Sequence, residues 1–224
     1  MIELFPIWLT LKLALSTTVI LLILAVPIAF WISDRKSVFS LIAEVIVSLP
    51  LVLPPTVIGF YLLIAFSPNY AFGSWLEKSF NLRLVFSFPG LLIGSIIYSL
   101  PFMVNPIKSA LSSLPPSLRE ASYSLGKTKS QTLLKVLLPN ITPSLLTGVI
   151  LTFAHTIGEF GVIMMIGGNI PGKTRTASIA IYNEVETFNY QNANTYAAIL
   201  MAISFIILLV LYSFNRKKEQ IKYY

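Results

Sequence analysis

No cysteine occurs among the 224 residues, which excludes disulfides, thiolate metal sites and cysteine nucleophiles together, without fixing the compartment the chain faces. Histidine occurs once, at position 155, and charged residues make up only 11% of the chain. The N-terminus has neither a basic start nor a small-residue cleavage site, and its apolar run is too long for a signal peptide, so it is expected to stay as a membrane span. What fills the chain instead is apolar: 55% of residues are hydrophobic and the mean hydropathy is +0.79. That balance is outside the range of an ordinary soluble domain and belongs in a bilayer.

Crossing a hydrocarbon core of roughly 30 Å takes about 20 predominantly apolar residues in a helix. Five stretches qualify: Ile7 to Ile32, Leu41 to Phe66, Pro89 to Val104 with flanking residues, Pro143 to Ile166, and Tyr196 to Phe214. The formal charge of +7 is distributed unevenly between the loops. One side receives Arg35, Lys36, Lys108, Arg119, Lys127, Lys129, Lys135, Arg216, Lys217, Lys218 and Lys222, eleven of the sixteen basic residues. Lys12, Lys78, Arg83, Lys173 and Arg175 fall on the other side. Positive charge is retained in the cytoplasm, so the expected topology has the N-terminus outside and the C-terminus inside. Trp8, Trp31, Tyr70, Trp75, Tyr196 and Tyr212 lie near span ends, where amphipathic rings favour the interface. Basic loops of this kind also arise from topology and anionic lipid alone.

The segment between the third and fourth stretches is long, polar and patterned. Pro115-Pro116 halts the preceding helix, and Ser117 with Glu120 reads as a capping box that starts a new one. Ala121, Leu125 and Thr128, then Leu133, Val136 and Leu137, recur at roughly helical spacing, which predicts a short amphipathic helix, a turn at Gly126, and a second helix ending at Pro139. Such an element either lies against lipid headgroups or docks in a groove of another protein. The run Glu120-Ala121-Ser122, with Gly126 six residues after the Glu and Leu138-Pro139 a dozen further on, resembles the cytoplasmic coupling loop of ABC importer permeases. The family pattern is Glu-Ala-Ala, three residues, then Gly, and Ser122 keeps the side chain small. That resemblance implies contact with an ATPase subunit by Glu120, Ala121, Ser122, Leu125 and Gly126.

Gly167 to Thr174 matches the string G-x-x-x-x-G-K-[ST] of a phosphate-binding loop. The chemistry behind that string needs a preceding strand, a following helix N-terminus and free backbone N–H groups. Here the string follows an apolar span and Pro171 removes one amide, so a nucleotide site is not expected. Lys173 and Arg175 on this outer loop are either solvated charges or attractors for an anion or an acidic partner.

Three prolines in Leu49-Pro50-Leu51-Val52-Leu53-Pro54-Pro55-Thr56 leave no room for an unbroken helix through the second stretch. This is either a simple kink or a broken helix lining a path, the latter being tolerated at membrane depth chiefly beside a cavity. In the fourth stretch His155 and Glu159 stand four apart, on one face of a continuous helix, with Gly158 and Gly161 beside them. A structural ion pair or hydrogen bond fixing helix packing is favoured over substrate contact, because a carboxylate repels an anion. Pro54, Pro55, Thr56, Glu159 and Gly161 are the candidate path or gate residues.

The proline run continuing through Val57-Ile58-Gly59-Phe60-Tyr61, the run Gly158-Glu159-Phe160-Gly161, and Asn169-Ile170-Pro171-Gly172-Lys173-Thr174-Arg175-Thr176 together resemble the molybdate group of these permeases. Sulfate permeases share the coupling loop and a similar Gly-Glu-aromatic-Gly run. The resemblance implies an all-α, polytopic, type I importer permease fold of five transmembrane helices. It implies a transmembrane domain over residues 11–212 that includes a coupling loop at 115–139, then a basic cytoplasmic tail at 213–224. It further implies a homodimer in a bacterial or archaeal cytoplasmic membrane, with a separate ABC ATPase and an extracytoplasmic molybdate-binding protein as partners. Membrane lipid would surround it, and nucleic acid would have no part. No metal site, cofactor or catalysis is expected on this chain; ATP and magnesium would belong to the ATPase. Two readings from other classes remain: a membrane enzyme using Glu159 and His155 as acid and base, and a passive channel that has no use for the Glu120 helix.

Overall fold

The computed structural model describes residues 3–34 and 37–221, and of 214 and 216–221 the backbone alone. Arg35, Lys36, Lys222 and the last residues of the basic tail lie outside the described residues, as do the side chains of Arg216, Lys217 and Lys218.

Among the described residues every regular element is helical. In chain order they are α1 (Phe5–Asp34), α2 (Val38–Ser48), a 3-10 turn (Leu49–Leu51), α3 (Pro55–Phe66), α4 (Ala71–Phe80), α5 (Phe88–Ser113), α6 (Pro116–Ser124) and α7 (Lys129–Thr132). A π turn (Leu133–Leu137), α8 (Leu138–Asn140), α9 (Thr142–Gly158), α10 (Gly161–Gly167), α11 (Ala177–Glu186) and α12 (Tyr190–Ile221) complete the chain.

Three helices, α1, α5 and the Tyr190–Ser213 part of α12, are long and apolar enough to cross a membrane unaided. The second expected span is broken: Val38–Leu51 and Pro55–Phe66 meet at 110°. It still runs from one end of the bundle to the other, because Glu44 of α2 pairs with Lys108 near the end of α5 while Phe66 of α3 packs with Leu84 and Val85, just before α5 begins. The fourth is broken as well. α9 has 17 residues, about 26 Å of helix, and the chain leaves helical geometry at Glu159 and Phe160 before α10 resumes it. The third span is longer than its sequence suggests, since Pro101 and Pro106 lie inside α5 without ending it. Neighbouring helices and local adjustment re-satisfy the backbone groups that a proline frees inside a membrane bundle.

In a bilayer the hydrophobic effect does not drive helix against helix, so close packing and internal hydrogen bonds must hold the bundle. α1, α5 and α9 form its centre. Ala14, Ala25 and Ala29 of α1 are fully buried, and Gly148 of α9 lies so close to α5 that an added Cβ would stand 3.0 Å from the Met103 sulfur. Leu21, Ile107, Leu111 and Leu137 fill the half of the core towards α6. Ile58, Phe66, Leu84, Val162 and Ile166 fill the half towards α3 and α10. Polar side chains in this setting satisfy themselves locally: Thr10 and Thr18 donate to the carbonyls of Pro6 and Ala14.

The two ends of the bundle are marked by different contacts. At one, Asp34 meets Arg119 of α6. At the other, the Tyr196 hydroxyl donates to the Glu3 carbonyl and accepts from its N–H, both at 3.0 Å, and Ala177 N–H donates to Thr10 Oγ at 2.9 Å. α4, an aromatic-rich helix between α3 and α5, has no counterpart in the span pattern. Phe72, Trp75 and Phe80 run along it and continue to Phe66 at the end of α3, as a chain of ring contacts 5.5–6.2 Å apart.

Candidate functional site

The two helix breaks lie against each other. α3 begins at Pro55, whose fixed φ suits the first helical position, and its backbone approaches α10 at two glycines. A Cβ added at Gly161 would stand 2.6 Å from Pro55 Cβ, and one at Gly59 would stand 2.8 Å from Met165 Cβ. Only glycine permits that approach, so the sequence-predicted Pro55 and Gly161 are in direct contact. Pro54 and Thr56 are exposed beside them, and Val52 in the turn before is 82% exposed.

Glu159 sits in the second break and is 4% exposed. Its backbone is extended, at φ −65° and ψ 132°, because α9 ends at Gly158. The expected pairing with His155 is therefore not made: leaving the helix takes the carboxylate off the face it would share with a residue four back. His155 stacks on Phe102, with ring centroids 4.0 Å apart, and tilts against Tyr98 at 4.9 Å. Neither Glu159 oxygen has a hydrogen-bond partner of good geometry among the described residues, although Ser95 of α5 is its polar neighbour. The Glu159 carbonyl, by contrast, is held firmly, accepting from Ser178 Oγ at 2.7 Å. Ser178 on α11 was not legible as a site residue, since nothing in its local pattern distinguishes it.

At the opposite end, α6 to α8 form the docking candidate. α6 starts at Pro116 with Pro115 as N-cap and no side-chain cap bond. The expected Ser117–Glu120 capping box is thus absent, because proline at the first position moves the N-cap two residues earlier, from Ser117 to Pro115. The real box lies beyond the turn, where the Thr128 hydroxyl accepts from Gln131 N–H and the Gln131 side chain accepts from Thr128 N–H. Gly126 makes the turn at φ +74°, a conformation that side chains other than glycine rarely adopt. The second helix does not stop at Pro139 but runs to Asn140 through the π turn, then bends by 80° into α9.

The predicted docking residues separate by orientation. Glu120, Ala121, Leu125 and Gly126 are exposed, Leu125 to 78%, and Glu120 has no ion pair among the described residues. Ser122 is buried and shares a 2.8 Å hydrogen bond with Thr132 of α7. It braces the two arms of the turn rather than facing a partner. Tyr123, which the pattern did not single out, is on the exposed side.

The phosphate-loop string is closed on itself. The N–H groups of Lys173, Thr174 and Arg175 all donate to the Ile170 carbonyl at 3.0–3.2 Å. Thr174 Oγ is buried and donates to the Gly167 carbonyl at 2.7 Å. Amides already spent in this way cannot cradle a phosphate. Lys173 is exposed, while Arg175 Nε donates to Asn169 Oδ1 at 2.6 Å, and Asn169 in turn donates to Asn183 of α11 at 2.7 Å. Arg175 thereby shapes the loop, leaving Lys173 as its solvated charge. No cluster of three or more potential metal-ligating His, Cys, Asp or Glu side chains occurs among the described residues.

Comparison with known proteins agrees with this arrangement. Residues 10–218 match the family described as the binding-protein-dependent transport system inner membrane component. The chain is 42% identical to the molybdenum transport system permease protein ModB of Azotobacter vinelandii over 216 residues, 96% of each chain. It is 36% identical to the sulfate transport system permease protein CysT of Escherichia coli over 172 residues, which cover 77% of this chain and 61% of that one. Among solved structures, a bacterial ABC transporter importing the polysaccharide alginate has the same fold, with a TM-score of 0.79 at 18% identity over 96% of this chain and 79% of that one. The relatives are transport subunits and not enzymes, and the chain belongs to this family as a multi-pass, type I ABC importer permease.

Proposed function

We propose that the chain is the permease subunit of a molybdate importer, working as a homodimer in a bacterial or archaeal cytoplasmic membrane with its N-terminus outside. The observation that carries this reading is the 42% identity to a molybdenum permease over nearly the whole of both chains. Two ATPase subunits, which hold the ATP and magnesium, dock beneath the paired α6 helices through Glu120, Ala121 and Leu125. An extracytoplasmic binding protein delivers the oxyanion to the face that carries α4, Lys173 and α11. Closure of the ATPases on ATP switches access at the paired breaks, where Pro54, Pro55, Thr56, Glu159 and Gly161 converge. Pro54 and Pro55 carry no N–H and the N–H groups of Val57 and Ile58 donate to the Pro54 carbonyl, so the helix-end donor at the start of α3 that suits an anion is that of Thr56.

Sulfate or thiosulfate is the second reading, favoured by the 36% identity to CysT; tungstate, a tetrahedral dianion like molybdate, is a third candidate. Selection among these ions rests mainly with the binding protein. The test is uptake of labelled molybdate by cells lacking their own transporter and supplied with this chain, its ATPase and its binding protein. Uptake that requires all three and resists excess sulfate supports molybdate. Suppression by sulfate moves the assignment to the sulfate branch.

A further inference from the structure

Asp34 is the single aspartate of the sequence and the last residue of α1. Its carboxylate holds cations from both arms of the Gly126 turn: Oδ1 accepts from Arg119 of α6 at 2.9 Å, and Oδ2 from Lys129 of α7 at 3.4 Å. Arg119 also donates to the Leu111 carbonyl of α5 at 3.4 Å and lies 5.7 Å over the Phe30 ring. The Asp34 and Arg119 side chains are 20% and 19% exposed, so this pair is shielded and multiply bonded, unlike the open surface pairs that contribute little. Four helices are thereby tied to one carboxylate, directly behind the exposed face of α6.

The same helix reaches the outer break. Thr10 of α1 accepts from the N–H of Ala177, and the next residue, Ser178, donates to the carbonyl of Glu159. Thr10 and Asp34 are 24 residues apart on one helix, about 36 Å at 1.5 Å per residue, and the helix runs through Pro27 without ending. A packed helix of that length transmits a displacement of its end, whereas separate loops would absorb it.

We propose that Asp34 is the positioning residue that fastens the docking element to α1, and that α1 is the rod carrying movement of α6 to the break at Glu159. The inference rests on α6 being the helix on which the ATPase docks. It assigns Asp34 no contact with substrate or nucleotide.

The test uses the complete importer, permease with ATPase and binding protein, in proteoliposomes. It measures ATPase co-purification and labelled molybdate taken up per ATP hydrolysed, with sulfate as the probe if the uptake competition selects it. Asp34→Asn should leave co-purification intact and lower uptake per ATP by about 5- to 150-fold, the span of typical coupling free energies. Thr10→Val should act in the same direction, and the double variant should be no worse than the poorer single, as expected of two sites on one rod. Because the chain has no native cysteine, Asp34→Cys with Arg119→Cys can be bridged selectively by a short bismaleimide. The bridged pair should regain the ratio that the unbridged pair lacks.

Normal uptake per ATP in Asp34→Asn, or multiplicative losses in the double variant, overturns the proposal. So does loss of co-purification that bridging fails to repair, which makes Asp34 a folding residue. Glu120→Arg separates the two layers: if that variant still captures the ATPase, the docking assignment of α6 fails, whatever Asp34→Asn does.

Discussion

The two ends of the molecule satisfy their polar groups in opposite ways. Around α6 the polar groups that shape the turn are paired, the buried Ser122 with Thr132, the shielded Asp34 with Arg119, and at the exposed edge Lys129 with Asp34 and Thr128 with Gln131. Around the break at Glu159 the backbone is tightly packed, yet the Glu159 carboxylate and the Ser95 hydroxyl have no partner of good geometry among the described residues. An unmade buried polar contact costs about 1–3 kcal/mol, more for a charge. The first region is thus stabilised as a rigid block with one face presented, while the second stands closer to its alternatives. Segments that open locally are drawn from the less stable parts of a fold.

The comparison is broken most severely at the glycine contact. Gly161→Val puts side-chain atoms where Pro55 already lies, and overpacking of that kind costs about 1–3 kcal/mol. Uptake should fall by about tenfold or more, 1.4 kcal/mol being tenfold, with the complex still recoverable by size exclusion. If uptake survives, the breaks do not need to touch. Glu120→Arg comes next: the reversed charge on the exposed face should abolish capture of the ATPase in a pull-down, while thermal stability of the permease stays unchanged because Glu120 has no ion pair to lose among the described residues. Ser122→Ala should act the other way round, lowering stability by about 1 kcal/mol through the lost hydrogen bond and leaving capture largely intact. A scan in which Ser122→Ala loses the ATPase without loss of stability would place that side chain at the interface after all. The smallest effects belong to Gly158→Ala, where an added methyl meets nothing within 4 Å, and to Lys173→Ala. Neither should change uptake by more than about twofold, within the ±0.5 kcal/mol usual for surface changes, and ATP hydrolysis should be unaffected by Lys173→Ala.

Much of the fold was legible because a bilayer leaves few options. Apolar length located the three helices that can cross unaided, and the proline run marked the break in the second stretch. The break in the fourth was hidden: Gly158-Glu159-Phe160-Gly161 contains no proline, and the apolar pattern continues through it, so His155 and Glu159 were placed on one face when the chain in fact turns between them. Pro101 and Pro106 lie inside α5 without ending it, since proline stops a helix in water more reliably than among packed neighbours. α4 and α11 were missed because short helices between the spans need neither span length nor strong apolar periodicity. At α6 the small-residue pattern located the turn, but it could not separate the face of Glu120 and Leu125 from that of Ser122, which is decided by Thr132 on another helix. Asp34 had one faint signal, as the lone acid in a basic turn.

The contacts that close the α11 end also set a clock. Glu3 finds Tyr196 across 193 residues of chain, and Thr10 finds Ala177 across 167. At about 5–20 residues per second a ribosome needs roughly 10–40 s to cover the longer interval. For that time the N-terminal end of the first helix waits in the membrane without its partners, so the end of the bundle that is made first is the last to be finished.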